Sequence, residues 1–446
     1  MFYDIPGKLA ELAHIFKKNG YSLYLVGGAV RDYVLGNKNH DYDFTTDAEP
    51  LEVKAMFKRT IDTGIKHGTV TVLYKGESYE ITTFRTEGDY TDNRHPDSVK
   101  FVKNLEEDLK RRDFTINALA ADLFSGEIID MNCGLQDLKD KKIRAIGNPT
   151  ERFSEDALRM LRACRFSSKL DFEIDKNTLE AIAKLQKNVL DVSSERIKEE
   201  FFKLVDGSNP IRALEYMRMT GLMETLFPEL YTTIGVEQRG FHNEDVYTHL
   251  LLALKHANKM HYPLDVKMAA LFHDIGKPET RAEGKDRFTF YSHEVASEKI
   301  TRSIMTRLKA SNKEKEDISH LVREHMFSYT PDWTDAAIRR FINRVGVDYL
   351  DRLFMLRNSD LAATTGDCPD STERLEELKQ RINKELDQNN AMSIKDLHIN
   401  GNDLIKLGIP KGKEIGKTLS HLLERVIEQP ELNTNEKLTA IVKSLS

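Results

Sequence analysis

The chain has 446 residues, 40% of them hydrophobic and 31% charged, with a formal net charge of −6. That length allows about two to four domains with cores of their own, and the composition is that of an ordinary globular protein. No apolar run approaches the roughly 20 residues that cross a bilayer, the three cysteines are too scattered for a disulfide framework or a zinc site, and the acidic balance speaks against a nonspecific nucleic-acid binder, though not against a local basic groove.

The opening segment, MFYDIPGKLAELAHIFKKNG, has helical spacing and an early acid. It does not read as a signal peptide, and a reducing cytoplasm is the expected setting. Strand and helix signals mix over the first 145 residues. SLYLVGG (22–28) is a short apolar strand ending in two glycines, VRDYVLG begins a short helix, and YDFTT (42–46) is a second strand. TVTVLYK and SYEITTFR are β-branched and aromatic runs separated at Gly76, a hairpin signal, and INALAADL and GEIIDM flank a further turn. From about residue 150 the spacing of apolar residues becomes three and four, as in SEDALRMLRACRF, SSERIKEEFFKLV and NPIRALEYMRMTG. Ser154 and Ser193 or Ser194 are candidate N-caps. Breaks fall near 226–243 and at 365–372, and residues 392–446 read as helices around GIPKGKEIG.

Four groups of residues carry chemistry. Asp41 and Asp43 are two apart on a strand and would share one face. Two adjacent carboxylates repel unless a cation lies between them, and hard oxygen ligands suit Mg²⁺. Glu80, on SYEITTFR, is a candidate third acid and equally a solvent-facing strand residue. Gly27 and Gly28 lie between strand and helix, where glycine lets backbone approach a phosphate, and Arg31 adds a charged donor; a plain tight turn fits that pattern too. Arg111 and Arg112, in RRDFTINA, could clamp a triphosphate or simply end a basic helix.

The third group is Asp156, Arg159 and Arg162, spaced by three along EDALRMLRACRF and so expected on one helix face. Asp accepts and Arg donates hydrogen bonds, a pattern complementary to the amino group and ring nitrogen of cytosine or adenine and mismatched to guanine and uracil. The same spacing also suits an exposed intrahelical ion pair. The fourth is the ordered set His249, His273, Asp274, His293, His325 and Asp360, residue types that ligate divalent metals.

LVGGAVRD, DYDFTT, RRDFTINALA and EDALRMLRACRF, in that order, resemble the class II CCA-adding tRNA nucleotidyltransferases and the related bacterial poly(A) polymerases; FHDIGK resembles the core of HD-type phosphohydrolases. The resemblance spans residues 20–225 and, more loosely, LHINGNDLIKLGIPKGKEIG. It implies an α+β fold: a small polymerase β-like sheet domain as head (1–148), then an all-helical neck (149–225), HD-type body (226–365) and tRNA-binding tail (366–446). It implies two Mg²⁺ ions on Asp41 and Asp43, triphosphate contacts from Gly28, Arg31 and Arg112 with Gly27 in the same turn, and base reading by Asp156 and Arg159 with Arg162 and Arg165 nearby. It implies tRNA as primer and CTP and ATP as donors, with no membrane partner. TFRTEGDYTDNRHPDSVKFV (83–102) resembles the family's flexible loop, with Arg85, Asp89 and Arg94 as its polar members; that favours full CCA addition or A addition alone. His249, His273, Asp274 and Asp360 match HD metal ligands, and His293 and His325 the extra ligands of two-metal members. The alternatives are an A-only enzyme or poly(A) polymerase, and an HD phosphohydrolase whose front half only binds nucleotide.

Overall fold

Residues 1–37, 42–87, 99–238, 244–284, 288–364, 369–388 and 390–445 are described by the computed structural model. They fall into two packed units, residues 1–231 with 306–310 and residues 232–305 with 311–446.

In the first unit, α1 (Gly7–Lys18) buries Leu9, Leu12, Ala13 and Phe16, the three-and-four spacing read from the sequence. β1 (Leu23–Val26) runs into α2 (Gly28–Val34), then β2 (Asp43–Thr46) and α3 (Pro50–Met56). β3 (Thr60–Gly64), β4 (Thr69–Tyr74) and β5 (Glu77–Thr83) follow, then a two-stranded ribbon of β6 (Arg85–Glu87) and β7 (Val99–Phe101). α4 (Leu105–Lys110), β8 (Leu119–Asp122), β9 (Ile128–Asp130) and α5 (Gly134–Lys139) complete the head. Seven strands form one sheet in the order β3-β4-β5-β2-β1-β8-β9. Every pairing is antiparallel except β2 with β5. The β4–β5 hairpin turns on Lys75 (φ 49°) and Gly76 (φ 84°), both left-handed, the two-residue connection that matches strand twist.

The register fixes the site. Val26 lies opposite both Ala120 and Asp43, Asp43 opposite Glu80, and Glu80 opposite Thr71. Partners directly across a sheet share a face, so Asp43 and Glu80 stand side by side. One side of the sheet is closed by α4, where Val26, Phe84, Leu105, Leu109 and Ala120 form an apolar cluster.

The helical part of this unit comprises α6 (Pro149–Glu155), α7 (Leu158–Leu170), α8 (Lys176–Leu185), α9 (Ser194–Val205) and α10 (Pro210–Thr220), with α7 packed on both α9 and α10. SEDALRMLRACRF is not one helix as its spacing predicts: the chain breaks at Asp156, which is extended (φ −141°, ψ 102°). The cause is local. The Asp156 Oδ1 accepts the Leu158 N–H, a capping bond that starts α7 afresh. Ser154 is not a cap; its hydroxyl donates to the Thr150 carbonyl inside α6.

In the second unit the helix Leu264–Phe272 is buried on all sides from Val266 onward and packs against helices Val246–Lys259, Asn312–Glu324 and Leu350–Thr364. Such a helix belongs at the centre of a bundle, and it delivers His273 and Asp274 there. Residues 369–372, expected in a break, belong to the helix Pro369–Asp387. A separate apolar cluster, including Leu404, Leu422, Val426, Leu438 and Val442, holds the last helices together. Among the described residues no helix is long and apolar enough to cross a membrane.

Candidate nucleotide site and candidate metal centre

Gly27 has φ 71° and ψ −131°, a conformation open only to glycine. A Cβ at Gly27 would stand 3.4 Å from Arg112 Nη1, and one at Gly28 would stand 3.5 Å from Arg31 Nη2. Two guanidinium groups therefore bracket the glycine pair at the end of β1. Arg31 is buried; its Nε donates to Asp32 at 2.8 Å and its Nη1 to Asn117 Oδ1 at 2.6 Å. Asp43 and Glu80 are exposed on the neighbouring strands. Asp41 lies outside the described residues, as do Asp89 and Arg94 of the expected loop. Arg85 is described: it begins β6, and its Nη1 donates to the His67 carbonyl.

The arginines of α7 sit among carboxylates from other segments. Arg159 is buried and donates to Glu155 at 2.6 Å and to the carbonyls of Arg152 and Arg111, both at 3.1 Å. Arg162 donates to Asp113 Oδ2 from Nε at 2.9 Å and Nη2 at 2.6 Å, and Glu200 lies 3.4 Å from its Nη1. Arg165 Nε pairs with the other Glu200 oxygen at 2.5 Å. Asp156 does not pair with Arg159. Its Oδ2 receives Arg196 Nη2 at 2.7 Å, so the two expected base readers are anchored separately, at the α6–α7 junction and on α7. Asp113, Glu200 and Arg196 were not singled out from the sequence, although each lies inside a quoted motif; Asn117 was inside RRDFTINA as well. Burial works against ionisation of Asp113, but Arg162 and Asn117 outweigh it and hold the carboxyl down at about 2.

The second cluster lies wholly within the second unit. His249 Nε2 is 3.1 Å from His273 Nε2, 3.3 Å from Asp274 Oδ2 and 3.2 Å from Asp360 Oδ1. On the other side of the same carboxylate, Asp274 Oδ1 is 3.1 Å from His293 Nε2 and 3.6 Å from His325 Nε2. Two ligand-type groups thus share Asp274: His249, His273 and Asp274, and Asp274, His293 and His325. The structure brings all six expected residues together.

The donor set fits divalent metal. His273, His293 and His325 direct Nδ1 at the carbonyls of Ala270, Phe290 and Val322, at 3.0, 2.8 and 2.7 Å. Each carbonyl assigns the ring proton to Nδ1 and leaves the Nε2 lone pair facing the cluster. Asp274 Oδ1 and His293 Nε2 are buried with no hydrogen-bond partner: two lone pairs converge with no proton to share. Burial opposes charge on Asp274, but Lys277 and His273 outweigh it and keep the carboxyl well below its usual range. His273 is pushed up to about 10, because Asp274 and Asp360 overcome its burial. At His273 the acids therefore demand positive charge, which a proton or a divalent cation supplies, whereas burial holds His325 below its usual value. Lys277 Nζ also touches Asp274 Oδ2 at 2.6 Å and Gln238 at 2.6 Å, and Arg357 donates to Asp360 at 2.6 Å. Arg357 and Gln238 were not foreseen; the three-residue spacing of Arg357 to Asp360 was the available signal.

Against this geometry, three comparisons agree. Family models match in chain order: "Poly A polymerase head domain" over residues 23–144, "Probable RNA and SrmB- binding site of polymerase A" over 171–233, and "HD domain" over 246–360. Fold and site together define a nucleotidyltransferase head joined to an HD-type body. The chain is 36% identical to the CCA-adding enzyme of Enterococcus faecalis over 98% of its own length and 97% of that protein. It is 52% identical to the CCA-adding enzyme of Lactobacillus helveticus, in a match that spans 50% of this chain and 55% of that one. The crystal structure of the Bacillus stearothermophilus CCA-adding enzyme in complex with CTP superposes with a TM-score of 0.72 at 32% identity, over 98% of this chain and 96% of that one. The chain belongs to the CCA-adding enzyme family.

The Asp113–Arg162 pair sets a pH test. A carboxyl held at about 2 in the fold but near 4 when unfolded adds stability that is complete above pH 4 and is lost as pH falls toward 2, about 2–3 kcal/mol in all. Asp113→Asn is expected to lose about that much at pH 7 in urea denaturation, with the gap to wild type narrowing between pH 4 and pH 3. A gap that stays constant with pH would show that the pair contributes no linked charge.

Proposed function

We propose that this protein adds C and A nucleotides to the 3′ end of tRNA, drawing on CTP and ATP without a nucleic-acid template. The observation that carries the reading is the glycine pair with its two guanidinium groups: Arg112 reaches Gly27 and Arg31 reaches Gly28, with Asp43 one strand away on β2 and Glu80 beside it on the next strand, β5. A triphosphate laid over the glycines would meet two guanidinium groups, and its α-phosphate would face the acid-bearing strands. Asp41 and Asp43, with Glu80 as neighbour, would hold two Mg²⁺ ions, which supply Lewis acidity at the attacking hydroxyl and the departing pyrophosphate. The protein's own residues do the rest by positioning: Arg31 and Arg112 fix the triphosphate, and α7 presents Arg159 toward the base.

Asp156 and Arg159 are the proposed base readers. A carboxylate offers about four acceptor positions and a guanidinium five donors, so the bonds to Arg196, Leu158, Glu155 and the two carbonyls leave capacity on both side chains. Arg162 and Arg165, locked by Asp113 and Glu200, form the wall behind them. The helices of 366–446, with Lys411, Lys413 and Lys417, are the proposed tRNA-binding tail, and the ribbon that Arg85 begins is the root of the proposed loop carrying Asp89 and Arg94. A cytoplasmic setting, where tRNA and triphosphates meet, belongs to the same reading. Independently, the His249, His273, Asp274, His293, His325 and Asp360 cluster is proposed as a two-metal HD site with phosphohydrolase capability; the two unshared lone pairs at Asp274 Oδ1 and His293 Nε2 support it.

Given CTP and ATP together, transcripts ending before CCA, after one C and after both should gain three, two and one nucleotides and stop; CTP alone should add only the missing Cs, and ATP alone should extend only the transcript that already carries both. Unbounded A tails would favour a poly(A) polymerase. Asp41→Ala and Asp43→Ala should each abolish extension, and Arg159→Ala should raise misincorporation of U or G by about 10- to 100-fold; normal extension or unchanged selectivity would count against those assignments. For the second site, elemental analysis of purified protein should find divalent metal that Asp274→Ala loses altogether and His293→Ala loses in part, with extension intact in both. Equal metal content in wild type and Asp274→Ala would remove the metal-centre reading.

A further inference from the structure

The most deeply buried carboxylate near the glycine pair is none of the acids so far given a role. Asp108, on α4, has no exposed surface. Its Oδ1 receives Arg111 Nε at 2.9 Å and Arg111 Nη2 at 2.8 Å, and the Arg85 backbone N–H stands at 3.4 Å. Its Oδ2 receives Arg112 Nη2 at 3.3 Å, and the Thr45 hydroxyl lies 3.3 Å away. Burial disfavours the charge, but Arg111 and Arg112 together outweigh it and keep Asp108 ionised.

Those contacts come from three segments: β2, the start of β6 and the end of α4. Thr45 is two residues past Asp43 on β2, and so shares its face. Arg85 begins the ribbon whose far side returns at Val99–Phe101. Arg112 is the guanidinium over Gly27. Arg112 Nε is buried with no hydrogen-bond partner, so the bond from Nη2 to Asp108 is what orients the group while Nη1 points over the glycine. A functional group is only as well placed as the residues that lock its rotamer.

We infer that Asp108 is a positioning residue for triphosphate binding: it sets the stance of Arg112 over Gly27 and ties that stance to the strand of Asp43 and to the start of β6. The inference rests on the reading that Arg112 contacts the triphosphate. It predicts that loss of the Asp108 charge acts on nucleotide binding rather than on tRNA binding or on folding alone.

The test is a double-mutant cycle of Asp108→Asn and Arg112→Ala, read as KM and kcat for CTP, ATP and tRNA. Asp108→Asn should raise KM for both nucleotides about tenfold or more, leave KM for tRNA within twofold and kcat within threefold, and add less than twofold in the Arg112→Ala background. A lowered melting temperature with unchanged nucleotide KM, or a full effect persisting without Arg112, would overturn the inference. No rise in nucleotide KM in Arg112→Ala alone would sink the reading of Arg112 and the inference with it. Should Asp108→Asn not fold, Thr45→Val removes one contact to the carboxylate while keeping its charge; it should raise nucleotide KM about two- to fivefold, and an unchanged KM would overturn the inference.

Discussion

Three guanidinium groups surround one phenyl ring: Arg31, Arg162 and Arg165 lie 5.3, 5.5 and 3.8 Å from the Phe166 ring centre. Guanidinium groups gathered around one ring repel one another, and a domain is stable by only about 5–15 kcal/mol. The arrangement survives because a carboxylate answers each arginine: Asp32 for Arg31, Asp113 for Arg162, and Glu200 shared by Arg162 and Arg165. Asp108 and Glu155 do the same for Arg112 and Arg159. The pairs hold α7 against the segment that follows α4 and against α9. Without them the cationic wall of the proposed nucleotide site would carry unanswered charge.

The two sites solve opposite electrostatic problems. In the head, cations are matched by buried acids yet keep donors to spare, as at Arg112 Nε, and the uncompensated demand is for an anion bearing acceptors. In the body, Asp274 and Asp360 face imidazole lone pairs, and the uncompensated demand is for a cation. Each site is held by elements with a clear reason to exist: a buried central strand ending in a glycine that alone tolerates its backbone angles, and a bundle-core helix ending in His273 and Asp274.

Much of this was legible in the sequence because it is local. The β4–β5 hairpin follows from two β-branched runs and a glycine turn. The glycine pair, Asp43 on β2 and the ordered histidines are short patterns that survive folding unchanged. What escaped is long-range or two-faced. Glu200 meets Arg162 across 38 residues and Asp113 meets it across 49, distances over which spacing carries no signal. Asp156 looked like one more polar position on a helix because Asp in a helix and Asp capping the next one share the same letters. Glu80 was ambiguous until the register set it directly beside Asp43. Nothing in the letters LEEDLK sets Asp108 apart from its acidic neighbours, yet α4 turns it inward.

The central claim is that one site joins Asp43 of β2, the arginines over Gly27–Gly28 and the Asp156–Arg159 segment around a single nucleotide. A crystal structure with manganese and a non-hydrolysable CTP analogue tests it most directly. The account predicts anomalous manganese density between Asp43 and the α-phosphate, the β- and γ-phosphates over Gly27 and Gly28 between Arg31 and Arg112, and the cytosine amino group against Asp156. A triphosphate bound away from the glycine pair, or manganese confined to the histidine cluster, would contradict it.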